Sequence, residues 1–178
     1  MRGTASFSRC RRFRTTLTRV WDDALPTLGW VILNPSTADA RSDDPTIRRC
    51  VRFGVDNAFG SIVVENLFTL RATDPRELAR DAAPVGPRAD CALRRLAGRT
   101  DTIVLAWGAV PTSTPRAFRD LRRERIERTL EVLAPADLRV LGRTKDGSPR
   151  HPLYARADAR LRDARIKPSR TRAPLIRS

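Results

Sequence analysis

Four polar segments carry the side chains best suited to chemistry, and each follows an apolar run. The first is Asn34-Pro35-Ser36-Thr37-Ala38-Asp39, with Asp43 and Asp44 close behind. The Asn34 amide presents two donors and an acceptor without titrating, so it can orient a water or the edge of a base. The carboxylates of Asp39, Asp43 and Asp44 are hard acceptors that could activate water or hold a divalent metal. The second segment contains Asn66, placed as Asn34 is, followed by Arg71 and Asp74. Trp107-Gly108 is the third, with an indole able to stack on a base. The fourth runs from Gly142 to Pro152 and holds Arg143, Lys145, Arg150 and His151, the sole histidine. An imidazole that titrates near neutrality suits proton transfer or anion contact, and the cations around it suit phosphate.

Each group also has a structural reading that the sequence leaves open. Asn34 beside Pro35 suits an Asx turn, Asp44 before Pro45 suits a helix cap, and Trp107 suits a core position. Several other chemistries are disfavoured. Gly142-x-x-x-x-Gly147-Ser148 lacks the Gly-Lys-Ser/Thr ending of a phosphate loop and follows the wrong strand. Neither a Gly-x-Ser-x-Gly elbow nor a Gly-x-Gly-x-x-Gly turn is present, which argues against a serine hydrolase and a dinucleotide oxidoreductase. The cysteines, Cys10, Cys50 and Cys91, are odd in number and lack Cys-x-x-Cys spacing. They support neither a disulfide framework nor a zinc site, and a reducing cytoplasm fits them best.

Such groups work only if a frame brings them together, and the hydrophobic pattern predicts one. Phe13, Thr15, Leu17 and Arg19 alternate with polar residues, as in a half-exposed strand. The continuous apolar run at 28–33 predicts a strand buried on both faces, 62–68 and 138–142 predict two more strands, and 102–108 predicts another buried one. Between them, Asp44-Pro45 opens a helix to about Asp56, with Ile47, Val51 and Val55 on its inner face and Cys50 near it. Thr73-Asp74-Pro75 starts a short helix, Pro87 starts another to about Ala97, and Thr114-Pro115 caps a long one to about Val132. Along that last helix Phe118, Leu121, Arg125 and Thr129 share parts of a face. Strands alternating with helices predict one α/β domain over residues 1–166, a three-layer α/β/α sandwich around a mostly parallel sheet. Ligands gather beyond the carboxyl ends of such strands, where all four polar segments fall. Residues 167–178 read as a basic, flexible tail.

The chain has 178 residues with a formal net charge of +15. That charge is concentrated at the ends. Residues 1–20 carry six arginines and no acid, and residues 150–178 carry nine cations against two acids. The remainder, 21–149, holds 20 cations and 18 acids. With 40% apolar residues a real core is expected. No run of about 18 apolar residues exists to span a membrane. The start has basic residues without an apolar core, so it is not read as a secretory signal; its Arg, Ser and Thr content also suits a strand. Arginine-rich ends would favour a nucleic-acid partner through phosphate contacts.

The segments Asn34-Pro35-Ser36-Thr37-Ala38-Asp39, Asp43-Asp44-Pro45-Thr46-Ile47-Arg48-Arg49-Cys50, Asn66-Leu67-Phe68, Arg71-Ala72-Thr73-Asp74-Pro75, Trp107-Gly108 and Thr144-Lys145-Asp146-Gly147 with His151-Pro152-Leu153-Tyr154 closely resemble the bacterial and phage proteins grouped as domain of unknown function 1643. The likeness covers about residues 7 to 165. A more distant resemblance is to the uracil-DNA glycosylase superfamily, in the order strand–Asn-Pro, strand–Asn with a following Arg, strand–Gly, and loop–His-Pro. That resemblance implies an α/β/α sheet and action on a nucleobase-containing substrate (DNA, RNA or nucleotide) by N-glycosidic bond hydrolysis or related chemistry. It implies that Asn34 and Asp39 orient water, Asn66 hydrogen-bonds the base, and His151 stabilises charge on the leaving base. Pro35, Ser36, Thr37, Arg71 and Trp107 would complete the base or ligand pocket, and Arg143, Lys145 and Arg150 would touch phosphate. No four-cysteine set exists, so no iron–sulfur cluster or other cofactor is expected. The alternatives are a non-catalytic nucleic-acid-binding module and a metal-dependent phosphoester hydrolase using Asp39, Asp43 and Asp44.

Overall fold

The computed structural model describes residues 1–134 and 136–165. The basic segment 167–178 lies outside them. The chain alternates strands and helices: β1 (Arg2–Phe7), β2 (Arg14–Val20), β3 (Thr27–Ile32), α1 (Pro45–Asp56), β4 (Ser61–Asn66), α2 (Arg76–Arg80), α3 (Ala89–Ala97), β5 (Thr102–Leu105), α4 (Arg116–Leu133), β6 (Asp137–Val140) and β7 (Arg162–Asp163). A 3₁₀ turn covers Pro152–Tyr154.

These strands form one seven-stranded sheet in the order β1-β2-β4-β3-β5-β6-β7. The four central strands β4, β3, β5 and β6 are parallel. Alternation of strands and helices predicts a mostly parallel sheet, whereas the observed sheet is mixed. An antiparallel hairpin, β1–β2, is added at one edge and short antiparallel β7 at the other. Local pattern could not show this, because edge pairing depends on which strand end lies free.

Side chains alternate across β3, and the two faces feed separate cores. Leu28, Trp30 and Ile32 pack with Ile47, Cys50 and Phe53 of α1. Val31 and Leu33 pack on the other face with Leu78, Leu93, Leu96 and Phe118 from α2, α3 and α4. From β3 the chain crosses by α1 to β4, and from neighbouring β5 it crosses by α4 to β6 on the opposite side. The carboxyl ends of β3 and β5 therefore bound a crevice, the usual ligand position in open α/β sheets.

Local chemistry accounts for α1. Asp44 Oδ1 accepts from the Ile47 amide at 2.9 Å and Pro45 occupies the first turn. The buried face is Ile47, Cys50, Phe53 and Gly54, whereas expected Val55 is 49% exposed. The helix is rotated because Gly54 admits the Trp21 ring: a Cβ there would lie 2.9 Å from it. Helix α4 departs similarly from expectation. Pro115 holds its cap position without a side-chain bond, so Thr114 does not cap it, and Leu121 faces solvent while Arg122 and Arg125 are buried.

Strand β2 also differs from its predicted alternation. Arg14, Leu17 and Arg19 are the buried residues, and Phe13 and Thr15 are half-buried. The β1–β2 register slips between Ser6 and Phe7, which brings Arg14 into line with Leu17 and Arg19. All three cysteines are free, with Cys50 buried and Cys10 and Cys91 exposed. Among the described residues no helix is long and apolar enough to cross a membrane.

Candidate functional site

Everything polar that the sequence singles out lies beyond the carboxyl ends of β3, β4, β5 and β6, and the fold adds the β1–β2 loop to that edge. Because β2 runs antiparallel to β4, its first residues lie beside the end of β4. The loop before β2, with Arg9, Arg11 and Arg12, thus joins the same rim as the segments after Leu33, Asn66 and Leu105.

The loop after β3 is held by two buried arginines. Arg14 donates to the Ala38 carbonyl at 2.7 Å. Burial lowers its guanidinium to about 10, opposed by the carboxylate of Asp44, so it stays cationic at neutral pH. Arg19 donates to the carbonyls of Asp39 (2.5 Å) and Ser42 (3.2 Å) and pairs with Asp43. The loop's own acids serve the same geometry. Asp39 Oδ1 accepts from the amides of Arg41 and Ser42, which hold its carboxyl below the usual range. Asp39 is therefore an ionised acceptor able to orient water, and a weak base. Asp43 is committed to Arg19 and Asp44 to the α1 cap. Among the described residues no three His, Cys, Asp or Glu side chains come together as a metal set.

Asn34 ties this loop to the next. Its Nδ2 donates to Ala72 O at 2.7 Å and Pro35 O at 3.0 Å, and the Ala72 amide returns a bond to Pro35 O. Only Oδ1 remains to receive a hydrogen from water. Asn66 differs from Asn34 despite its similar placement. It is 1% exposed, and neither Nδ2 nor Oδ1 has a hydrogen-bond partner. It ends β4 opposite Ile32, on the α1 face, where the indole N–H of Trp30 is likewise buried and unpartnered. Buried amides are normally satisfied, and leaving one unpaired costs about 1–3 kcal/mol per group.

His151 approaches the same face from the other side of β3. Its loop packs on Gly108, which has φ +73°; a Cβ there would lie 3.2 Å from that of His151. The Gly108 amide donates to Pro149 O at 2.9 Å and its carbonyl accepts from Arg122 at 2.5 Å. Burial pushes the His151 pKa down, with the Asp44 carboxylate acting against it. Nδ1 accepts weakly from the Leu153 amide at 3.4 Å, which places the neutral ring's proton on Nε2. A neutral imidazole with an Nε2–H donor is suited to stabilising charge on a departing group.

The remaining expected site residues divide among three cavities. Ser36, Thr37 and Arg71 line one of about 350 Å³ with Arg11 and Arg12. Trp107 is 4% exposed and lies on the opposite face, beside a separate cavity of about 310 Å³. Arg143 and Arg150 border a third, of about 710 Å³, and donate to Gly147 O and Arg143 O respectively. Lys145 is exposed in that loop, and Pro35 is buried.

A family model described as a protein of unknown function (DUF1643) matches residues 14–153. The chain belongs to that family. No curated protein and no solved structure matches it. The matched span of this DUF1643 domain runs from β2 to the 3₁₀ turn and includes Asn34, Asn66 and His151. It leaves out β1, the Arg9–Phe13 loop and β7.

Sequence reasoning missed the part arginine plays in this DUF1643 domain. Arg14, Arg19, Arg122 and Arg125 are all buried, and each binds a carbonyl at the carboxyl edge. Arg125 takes Leu67 O at 2.7 Å and also pairs with Asp90. A guanidinium carries five donors in a rigid fork, so one residue can hold several loop carbonyls where lysine would hold them singly. The only available signal was periodic: Arg125 falls on the inner stripe of α4 with Phe118 and Thr129.

Proposed function

We propose that the chain binds a nucleobase-containing ligand at this carboxyl edge and acts on it by N-glycosidic bond hydrolysis or closely related base-directed chemistry. The observation that carries the reading is Asn66, whose amide is buried with donor and acceptor both unpaired. An adjacent donor and acceptor match the hydrogen-bonding edge of a base. The amide is closed from solvent, so this reading requires the segments packed over it to move before a base can reach it. The placement of His151, neutral and carrying its proton on Nε2, favours stabilisation of negative charge on the base as the bond to the sugar breaks. Water would attack the sugar carbon, oriented by Asn34 Oδ1 and ionised Asp39; its surplus proton passes to solvent and the base leaves with the bonding pair. The order of the motifs along the chain is what suggests a glycosylase-like reading of this α/β fold.

The test is release of free base from uracil- and hypoxanthine-containing nucleosides and single strands, followed by mass spectrometry. Wild type should release base, and His151→Ala should slow release about a hundredfold or more, the scale of lost transition-state stabilisation. Asn34→Ala and His151→Ala both working at the wild-type rate would sink the proposal. Binding without turnover would leave a non-catalytic nucleotide-binding module in its place, and abolition by chelator would restore the metal-dependent alternative.

A further inference from the structure

We propose a phosphate subsite formed by Arg11 and Arg71 with the hydroxyls of Ser36, Thr37 and Thr73, in the cavity of about 350 Å³ at the β1–β2 loop. The guanidinium groups of Arg11 and Arg71 lie 4.4 and 5.1 Å from the centroid of one ring, that of Phe7. Two like charges are thus held against the same aromatic ring. Neither meets a carboxylate within ion-pair distance among the described residues, whereas their neighbour Arg12 is neutralised by Asp81. Glu77, the acid at this cavity, accepts from the Asp74 amide at 3.3 Å. Two unpaired guanidiniums against the one acid of the cavity favour an anion shared between the forks, and phosphate has oxygens enough to meet both.

The walls are fixed before any ligand arrives. The Arg71 amide donates to Arg12 O at 3.0 Å, which fastens the loop before β2 to the segment after β4. The Ala72 amide bonded to Pro35 O at 2.9 Å fastens that segment to Ser36 and Thr37. Arg11 itself sits at φ +56°, a backbone state that non-glycine residues adopt rarely, within a turn closed by Ser8 and Phe13. Preorganised donors lose little freedom on binding. Arg11 and Arg12 precede the family-matched span, so this subsite joins residues inside and outside it. It depends on the base-directed reading for the rest of its ligand, and not for phosphate binding itself.

Calorimetry on the full chain should show ribose 5-phosphate binding, with inorganic phosphate competing. Arg11→Gln and Arg71→Gln should each weaken it about ten- to a hundredfold, the usual scale of a charge-assisted bond. Arg160→Ala with Arg162→Ala, in the larger basic cavity, should leave it unchanged. An unphosphorylated thymidine hexamer separates the sources: competition by it points to strand diesters, and its failure to compete points to a terminal monoester. Absence of binding by ribose 5-phosphate and hexamer alike, or equal binding by Arg11→Gln and wild type, overturns the subsite. Arg11 is exposed, so its variant keeps the test valid if Arg71→Gln fails to fold. Phosphate binding without base release would uphold the subsite and defeat the catalytic reading; base release untouched by Arg11→Gln and Arg71→Gln, with no phosphate binding, would do the reverse.

Discussion

Replacing Glu65 by glutamine should stabilise the protein, and increasingly so as pH rises. Glu65 is 2% exposed on the face of β4 opposite Asn66, and accepts from Thr16 Oγ1 at 2.7 Å. Burial pushes its carboxyl up from 4.5 to about 8, against the opposing effects of Thr16 and of Arg95, Arg14 and Arg99. The unfolded chain therefore ionises first. Stability from this group is complete below 4.5 and is lost as pH rises through about 8. At ~1.4 kcal/mol per pH unit, the loss is roughly 1 kcal/mol at pH 5, 3 at pH 7 and 4–5 above pH 8. Glutamine keeps the acceptor for Thr16 and cannot ionise, so its advantage over wild type should follow that curve. A domain of this size shifts by about 2–4 °C per kcal/mol, which puts the variant about 6–12 °C higher at pH 7. Melting curves of both proteins from pH 5 to 9 provide the assay. Parallel pH dependences, or a variant less stable than wild type at pH 8, would refute a buried neutral Glu65 and imply a carboxylate kept ionised by the surrounding arginines.

Three further outcomes are expected. Gly108→Ala should cost about 1–2 kcal/mol, because φ is +73° and the new Cβ meets His151 at 3.2 Å. His151 is the only histidine, so its NMR imidazole signals should move in that variant; in wild type they should titrate below 6.5. Arg19→Met leaves Asp43 and the Asp39 carbonyl without their partner, and should cost about 3–5 kcal/mol by urea unfolding and speed proteolysis at 38–43. Asn66→Leu removes two unpaired buried atoms, so stability should hold or rise by about 1 kcal/mol while ligand binding disappears; a loss of more than about 2 kcal/mol would reveal a partner for the amide.

Several elements were legible because their causes are local. The Asp44-Pro45 start of α1 needs only one side chain and the backbone three residues on. The apolar runs behind β3 and β4 report burial on both faces without reference to their neighbours. The edge hairpin was harder, since β1 alternates exposed and half-buried residues and pairs only with β2. Site residues divided in the same way. Asn34 and Asn66 follow strands of the same kind, yet one is spent on Ala72 O and the other is buried with nothing to bind. That difference depends on where the chain returns after β4.

The sequence by itself determined the central strands, the helices between them and the gathering of polar segments at one edge, because hydrophobic period and capping act over a few residues. Tertiary structure alone decided what the arginines do. Arg14 reaches a carbonyl 24 residues away and Arg125 one 58 residues away. A guanidinium can be buried only where the fold aims such carbonyls at it, and composition carries no trace of that geometry. The net charge of +15 thus conceals buried forks that fasten loops at the carboxyl edge, beside exposed arginines of which many, Arg12 among them, pair with acids.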